Sequence, residues 1–201
     1  MWLLKKEKDK DERFKIWEMR LTALEELFGK SATEVYHAPI PFELGGSADV
    51  VIFPDWVSSG EAYVTAELTG CDTGQICNSM GTYEFMICGK TPPRNDRFPA
   101  LIANLARYSC EAQLDVGHTM DIGNYFEDSS LTALLYINPL EHPTTFELKG
   151  QRHGVLLAIG ITTSELRFIQ ESDSYKPLII ALKERGVFPF TIPSRPSVIC
   201  A

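Results

Sequence analysis

No apolar run in this chain is long enough to cross a membrane. The longest, such as residues 154–161, fall far short of the ~18–20 residues a bilayer demands. No secretory leader is expected either, since Met1-Trp2-Leu3-Leu4 gives way to charge at Lys5 with no small-residue cleavage site. Both absences predict a cytoplasmic chain. There is no basic excess: 19 Lys and Arg stand against 27 Asp and Glu, a net charge of −8. The imbalance is uneven, with residues 1–30 at net +1 and residues 31–201 at net −9. A body of that sign offers phosphate backbones no footprint, so nucleic acid is not the expected partner. A basic protein partner is compatible with it, because complementary fields speed encounter. Cysteine is sparse and unpatterned, with five in the chain and no Cys-x-x-Cys pair. Reduced thiols are expected, with neither a disulfide framework nor a structural zinc. Gly45-Gly46-Ser47 lacks the downstream pattern of a phosphate loop, and no cofactor is expected.

What is present describes an ordinary folded body, 44% apolar and 23% charged over 201 residues. A chain of this length buries roughly 70% of the surface its unfolded form exposes and needs no staple. No repeat or low-complexity linker divides it, so residues 1–201 read as one domain. A solvated N-terminal segment at 1–12 alternates Lys with acid, and an extended tail at 187–201 carries Pro189, Pro193 and Pro196. Phe14, Trp17, Leu21, Leu24 and Phe28 recur at helical spacing, predicting a helix over 14–28 with that stripe inward and Gly29 as its cap. Runs rich in Val, Ile, Tyr, Phe and Thr predict strands at 34–37, 49–53, 61–68, 82–88, 113–116, 131–138 and 146–148. Residues 155–161 are apolar almost throughout, the pattern of a strand covered on both faces. A second helix is expected over 98–108. Two more follow, one opened by the capping pair Thr162 and Glu165 and one from about Ser174 to Gly186. The predicted class is α+β: a mixed, mostly antiparallel sheet of about six or more strands with flanking helices.

Catalytic constellations are scarce. His118, in Val116-Gly117-His118-Thr119, is the histidine with the most suggestive context. A Cys–His hydrolase would pair it with Cys71, Cys77, Cys88 or Cys110, oriented by Asp115 or Asp121. Nothing local supplies a nucleophile elbow or an oxyanion hole, so no enzyme is expected. The segment Asn124-Tyr125-Phe126-Glu127-Asp128 has the composition of an interface anchor, with two aromatics beside two acids. Tyr125, Phe126, Glu127 and Asp128 are therefore the candidate partner-binding residues. Asp72, from the polar loop at 70–81, is a more distant candidate.

Several segments, taken in order over 34–199, resemble the suppressor of fused domain family. They are His37-Ala38-Pro39 through Phe42, Ile52-Phe53-Pro54, Thr65-Ala66-Glu67-Leu68-Thr69-Gly70, Tyr83-Glu84-Phe85, Phe98-Pro99 to Leu105-Ala106-Arg107-Tyr108, Gly117-His118-Thr119, Gly160-Ile161-Thr162-Thr163-Ser164-Glu165-Leu166 and Arg195-Pro196-Ser197-Val198. Cys71 stands where the family commonly has Met, Phe98 where it has Trp, and Ile192-Pro193-Ser194 replaces the acidic part of its closing motif. The resemblance covers only the N-terminal domain of the two-domain animal members. It implies a non-enzymatic protein-binding role, which for single-domain microbial members means an immunity-type protein that neutralises a toxin partner. The acidic body suits a basic toxin domain. The resemblance assigns no partner-contacting residue and leaves the oligomeric state open.

Overall fold

The computed structural model describes residues 2–54, 56–58, 60–90, 96–140 and 144–199, with backbone alone at 2–11 and 13. The elements run α1 (Trp2–Phe28), β1 (Val35–Tyr36), a 3-10 turn (Phe42–Leu44), β2 (Val50–Phe53), β3 (Gly60–Thr65) and β4 (Tyr83–Lys90). They continue with α2 (Arg97–Tyr108), β5 (Thr119–Asp121), β6 (Leu131–Ile137), β7 (Thr145–Leu148), β8 (Gln151–Thr162), α3 (Thr163–Ser172) and α4 (Lys176–Glu184). The strands form one mixed sheet in the order β1-β2-β3-β4-β8-β6-β5, with β7 also paired to β8. Every pairing among them is antiparallel except β4 with β8. This is the α+β class that the strand patterning predicts.

Side-chain alternation sorts the core into two layers. Val51, Phe53, Val155, Leu157, Ile159 and Ile161 face α1, α3 and α4, which contribute Leu24, Phe28, Ile169, Leu178 and Leu182. Val50, Ile52, Phe85, Leu156 and Ala158 face α2 and its Phe98, Leu101, Ile102 and Leu105. With both faces covered, β8 is buried from His153 to Thr162, as its apolar run requires. The Thr162–Glu165 capping box forms, and Gly29 closes α1 in the left-handed region at φ 86°.

Three expectations need correction. α1 begins at Trp2, so the charged segment at 1–12 belongs to a helix instead of preceding one. Lys and Glu are good helix formers, and Lys5 with Asp9 and Lys8 with Glu12 place opposite charges four apart. The stripe on α1 is only half inward: Leu24 and Phe28 are buried, Trp17 and Leu21 partly so, and Phe14 is 60% exposed. No strand forms at 113–116, because the Asp115 carboxylate instead accepts from Ser79 and from the Val116 backbone N–H. A short edge strand, β5, appears instead just after Gly117-His118.

The tail over 187–199 is pinned more firmly than a surface strap. Thr191 donates its backbone N–H to Cys88 at 2.8 Å and accepts the Gly160 N–H on its Oγ1 at 2.9 Å. A Cβ on Gly160 would come within 2.8 Å of the Thr191 side chain and 2.6 Å of Leu131, so only glycine admits this approach.

Candidate functional site

The segment at 124–128 lies in the connection from β5 to β6, against the start of α2. The Arg97 guanidinium donates to the Tyr125 carbonyl at 2.9 Å and to Glu127 Oε1 at 2.8 Å. Tyr125 returns its hydroxyl to the Arg97 carbonyl at 3.1 Å. The arginine partner draws the Glu127 carboxyl below its ordinary pKa, and burial pushes the Tyr125 phenol above its own. Glu127 and Asp128 are exposed, and Asp128 adopts a left-handed φ of 54°. The result is a braced loop that holds two carboxylates toward solvent.

Phe126 corrects the sequence expectation of a surface ring. It is only 3% exposed and meets Phe98 edge-on at 5.6 Å and Tyr125 at 5.1 Å. The ring completes the α2-side core, where burying an aromatic yields more than leaving it wet. Its contribution to this surface is to anchor the loop from beneath.

Asp72 lies elsewhere. Among the described residues no hydrogen bond or ring contact joins it to the 124–128 loop. It caps its own turn, accepting the Gly74 N–H at 3.2 Å, and it lines a groove of about 550 Å³ beside α1. Glu12, Phe14 and Trp17 of α1, Phe42 and Glu67 share that lining. Burial pushes the Glu67 carboxyl up in pKa, although it accepts the Asp49 N–H at 2.9 Å.

The floor of this groove rests on a network that sequence reasoning missed. Glu84, fully buried on β4, accepts Thr65 Oγ1 at 2.7 Å, the Leu68 and Thr69 N–H groups at 3.0 Å each, and Thr69 Oγ1 at 2.8 Å. Arg20, 3% exposed on α1, donates to the carbonyls of Ala66 and Thr69 and lies 3.6 Å from the Glu84 carboxylate. Between them the two side chains hold the donors and the acceptors of one backbone segment, 66–69, and so fix where Glu67, Cys71 and Asp72 emerge. Burial pushes the Glu84 pKa up, opposed by Arg20 and the donors around it. The signal was available: Arg20 interrupts the apolar stripe of α1, and Glu84 interrupts an apolar strand.

A second arginine–glutamate pair joins the tail to α3. Arg195 donates to both oxygens of Glu165 at 2.6 Å, and Glu165 also accepts the Thr162 N–H at 2.9 Å and the Val198 N–H at 2.8 Å. Burial works against the charge on Glu165, yet the guanidinium and those backbone donors leave its pKa below the ordinary value.

The hydrolase alternative finds no assembly. His118 is exposed, and its Nδ1 accepts the Asp115 N–H at 3.3 Å. No described hydrogen bond joins it to a cysteine. Burial pushes the thiols of Cys71, Cys88 and Cys110 up in pKa, the opposite of what an activated nucleophile needs. Among the described residues no group of three His, Cys, Asp or Glu is placed to hold a metal ion, and no helix is long and apolar enough to cross a membrane.

Comparison with known proteins places this geometry in context. The profile of the suppressor of fused protein family (SUFU) matches residues 48–196. A suppressor of fused homologue from Neisseria gonorrhoeae superposes with a TM-score of 0.67 at 18% identity, over 94% of this chain and 99% of that one. A chain of the Sufu–Fu complex superposes at 0.68 with 13% identity, over 89% of this chain and 90% of that one. Drosophila Suppressor of Fused gives 0.68 and 13%, and there this chain spans 50% of the other protein's length. No match to a curated protein was found.

Proposed function

The chain belongs to the suppressor of fused family, and we propose that it works as a non-enzymatic protein-binding module of the immunity type, neutralising a toxin in the cytoplasm. The observation that carries this reading is the braced acidic loop. Glu127 is held in place by Arg97 before any partner arrives, and Asp128 stands exposed beside it. Carboxylates fixed in advance cost less ordering on binding and present a steady field to a basic protein. The net −9 over residues 31–201 extends that field over the body. A family relative is known from a complex with a second protein, Fu, which supports protein as the partner class. Tyr125 supplies a half-buried aromatic at the loop's rim, and Phe126 supports the loop from the core.

The test is association kinetics with a basic toxin domain, sought first in the reading frame that neighbours the one for this chain. Glu127→Lys and Asp128→Lys should slow association, more strongly at low salt, because screening shortens the reach of the field. His118→Ala should leave binding unchanged. Failure of such a toxin domain to bind, or an association rate indifferent to both charge reversals, overturns the reading.

A further inference from the structure

The apolar stripe on α1 runs past the edge of its own core. Leu24 and Phe28 are spent inside the domain, but Phe14 stands 60% exposed on the same face with Trp17 half-covered beside it. Those two rings form one wall of the groove of about 550 Å³, and Phe42 lies across from them. Carboxylates flank the rings: Glu12 from α1, Glu67 and Asp72 from the opposite bank. Among the described residues lining the groove, Arg20 is the sole cation. It is buried, and its donors are taken by the Ala66 and Thr69 carbonyls and by Cys71 Sγ at 3.6 Å. The groove thus combines uncovered aromatic surface with carboxylates on both of its banks.

From this complementarity we infer that the groove is a second contact surface, which receives a basic segment of the protein partner: an apolar side chain against Phe14 and Trp17, flanked by Lys or Arg facing Glu67 and Asp72. The inference rests on the protein-binding reading and names a face that the 124–128 loop does not supply. Aromatic walls give apolar area at small entropic cost, and rim acids select against an acidic or neutral segment. Arg20 and Glu84 hold the bank that carries Glu67 and Asp72, so the surface is formed before the segment arrives.

The test follows the amide and indole resonances of the full nitrogen-15-labelled chain during titration with three seven-residue peptides. One alternates lysine with leucine, one lysine with serine, and one glutamate with leucine. The lysine–leucine peptide should shift the Trp17 indole and the Asp72 amide. The other two should bind at least about tenfold more weakly, a difference of about 1.4 kcal/mol. Phe14→Asp and Asp72→Lys, at exposed positions, should each weaken the lysine–leucine peptide about tenfold with the melting temperature unchanged. Shifts confined to the 124–128 loop would overturn the groove while leaving the binding module standing. Equal binding of all three peptides, shifts nowhere, or a dimer that Phe14→Asp dissociates would overturn it too, the last by giving this face to a second copy of the chain.

Discussion

Two buried arginine–glutamate pairs sit at opposite ends of the chain, and their geometries differ. Arg195 meets Glu165 end-on through its two terminal nitrogens, with both carboxylate oxygens engaged at 2.6 Å, and the pair fastens the tail to α3. Arg20 approaches Glu84 only to 3.6 Å, and each partner also bonds the 66–69 backbone between them. The first is a clasp between two segments. The second is a frame that shapes one bank of the α1 groove. Burial of charge is common to both, so the difference shows that such a pair is explained by what else its atoms hold.

The strongest way to break the comparison is to remove one carboxylate at a time. Glu84→Gln and Glu165→Gln should each cost about 3–5 kcal/mol in denaturant unfolding, because each leaves a buried guanidinium without its charge partner. Both amides turn a donor toward a site already filled by four donors, and Glu165→Gln should be the larger, since it also breaks a bidentate pair at 2.6 Å while Arg20 keeps its carbonyl acceptors. Equal midpoints would say that the closer, bidentate contact adds nothing to the clasp.

Phe126→Ala comes next. An aromatic truncated in a core costs about 3–5 kcal/mol, and this ring sits at the margin of its layer, so the lower end is expected. A melting temperature close to wild type would return Phe126 to the surface role its loop composition suggests.

Acid separates the two carboxylates by sign. The folded pKa of Glu165 lies below its ordinary value, so its stabilisation is complete above about pH 4.3, the unfolded value. It is lost as pH falls from there through the folded value, because the unfolded chain binds the proton first. Glu84 is shifted upward, so on acidification the folded chain takes up that proton first and gains no comparable penalty. Amide exchange measured stepwise below pH 5 should therefore release the Val198 N–H, held by Glu165, before the Leu68 and Thr69 N–H groups held by Glu84. The reverse order would contradict the assignment of the two shifts.

The smallest effect on stability is expected at the loop. Glu127→Lys removes an exposed pair with Arg97 and should leave the melting temperature unchanged while slowing partner association.

Much of this architecture is legible in the residues. The alternation of Val50, Val51, Ile52 and Phe53 fixes two faces, and the unbroken apolar run of β8 fixes its place inside the sheet. Thr162 and Glu165 mark a helix start that forms as the capping rule expects. What escaped was decided by tertiary context. Phe126 reads as a surface aromatic because its neighbours are polar, yet Phe98, distant in sequence, offers it a core edge. β5 has three residues and owes its existence to β6. The groove joins α1 to segments at 41–43 and 71–73, and no local pattern announces that meeting. Arg20 and Glu84 were visible as charges in apolar surroundings, but their partnership across 64 positions was not.

The central claim is that the frame at Arg20 and Glu84 builds a binding surface while the clasp at Arg195 and Glu165 builds only the fold. The affinity of the lysine–leucine peptide for Glu84→Gln and Glu165→Gln, compared at a temperature where both remain folded, tests it most directly. The account predicts a loss of about tenfold for Glu84→Gln and no more than about twofold for Glu165→Gln. Equal affinities in the two variants would contradict it.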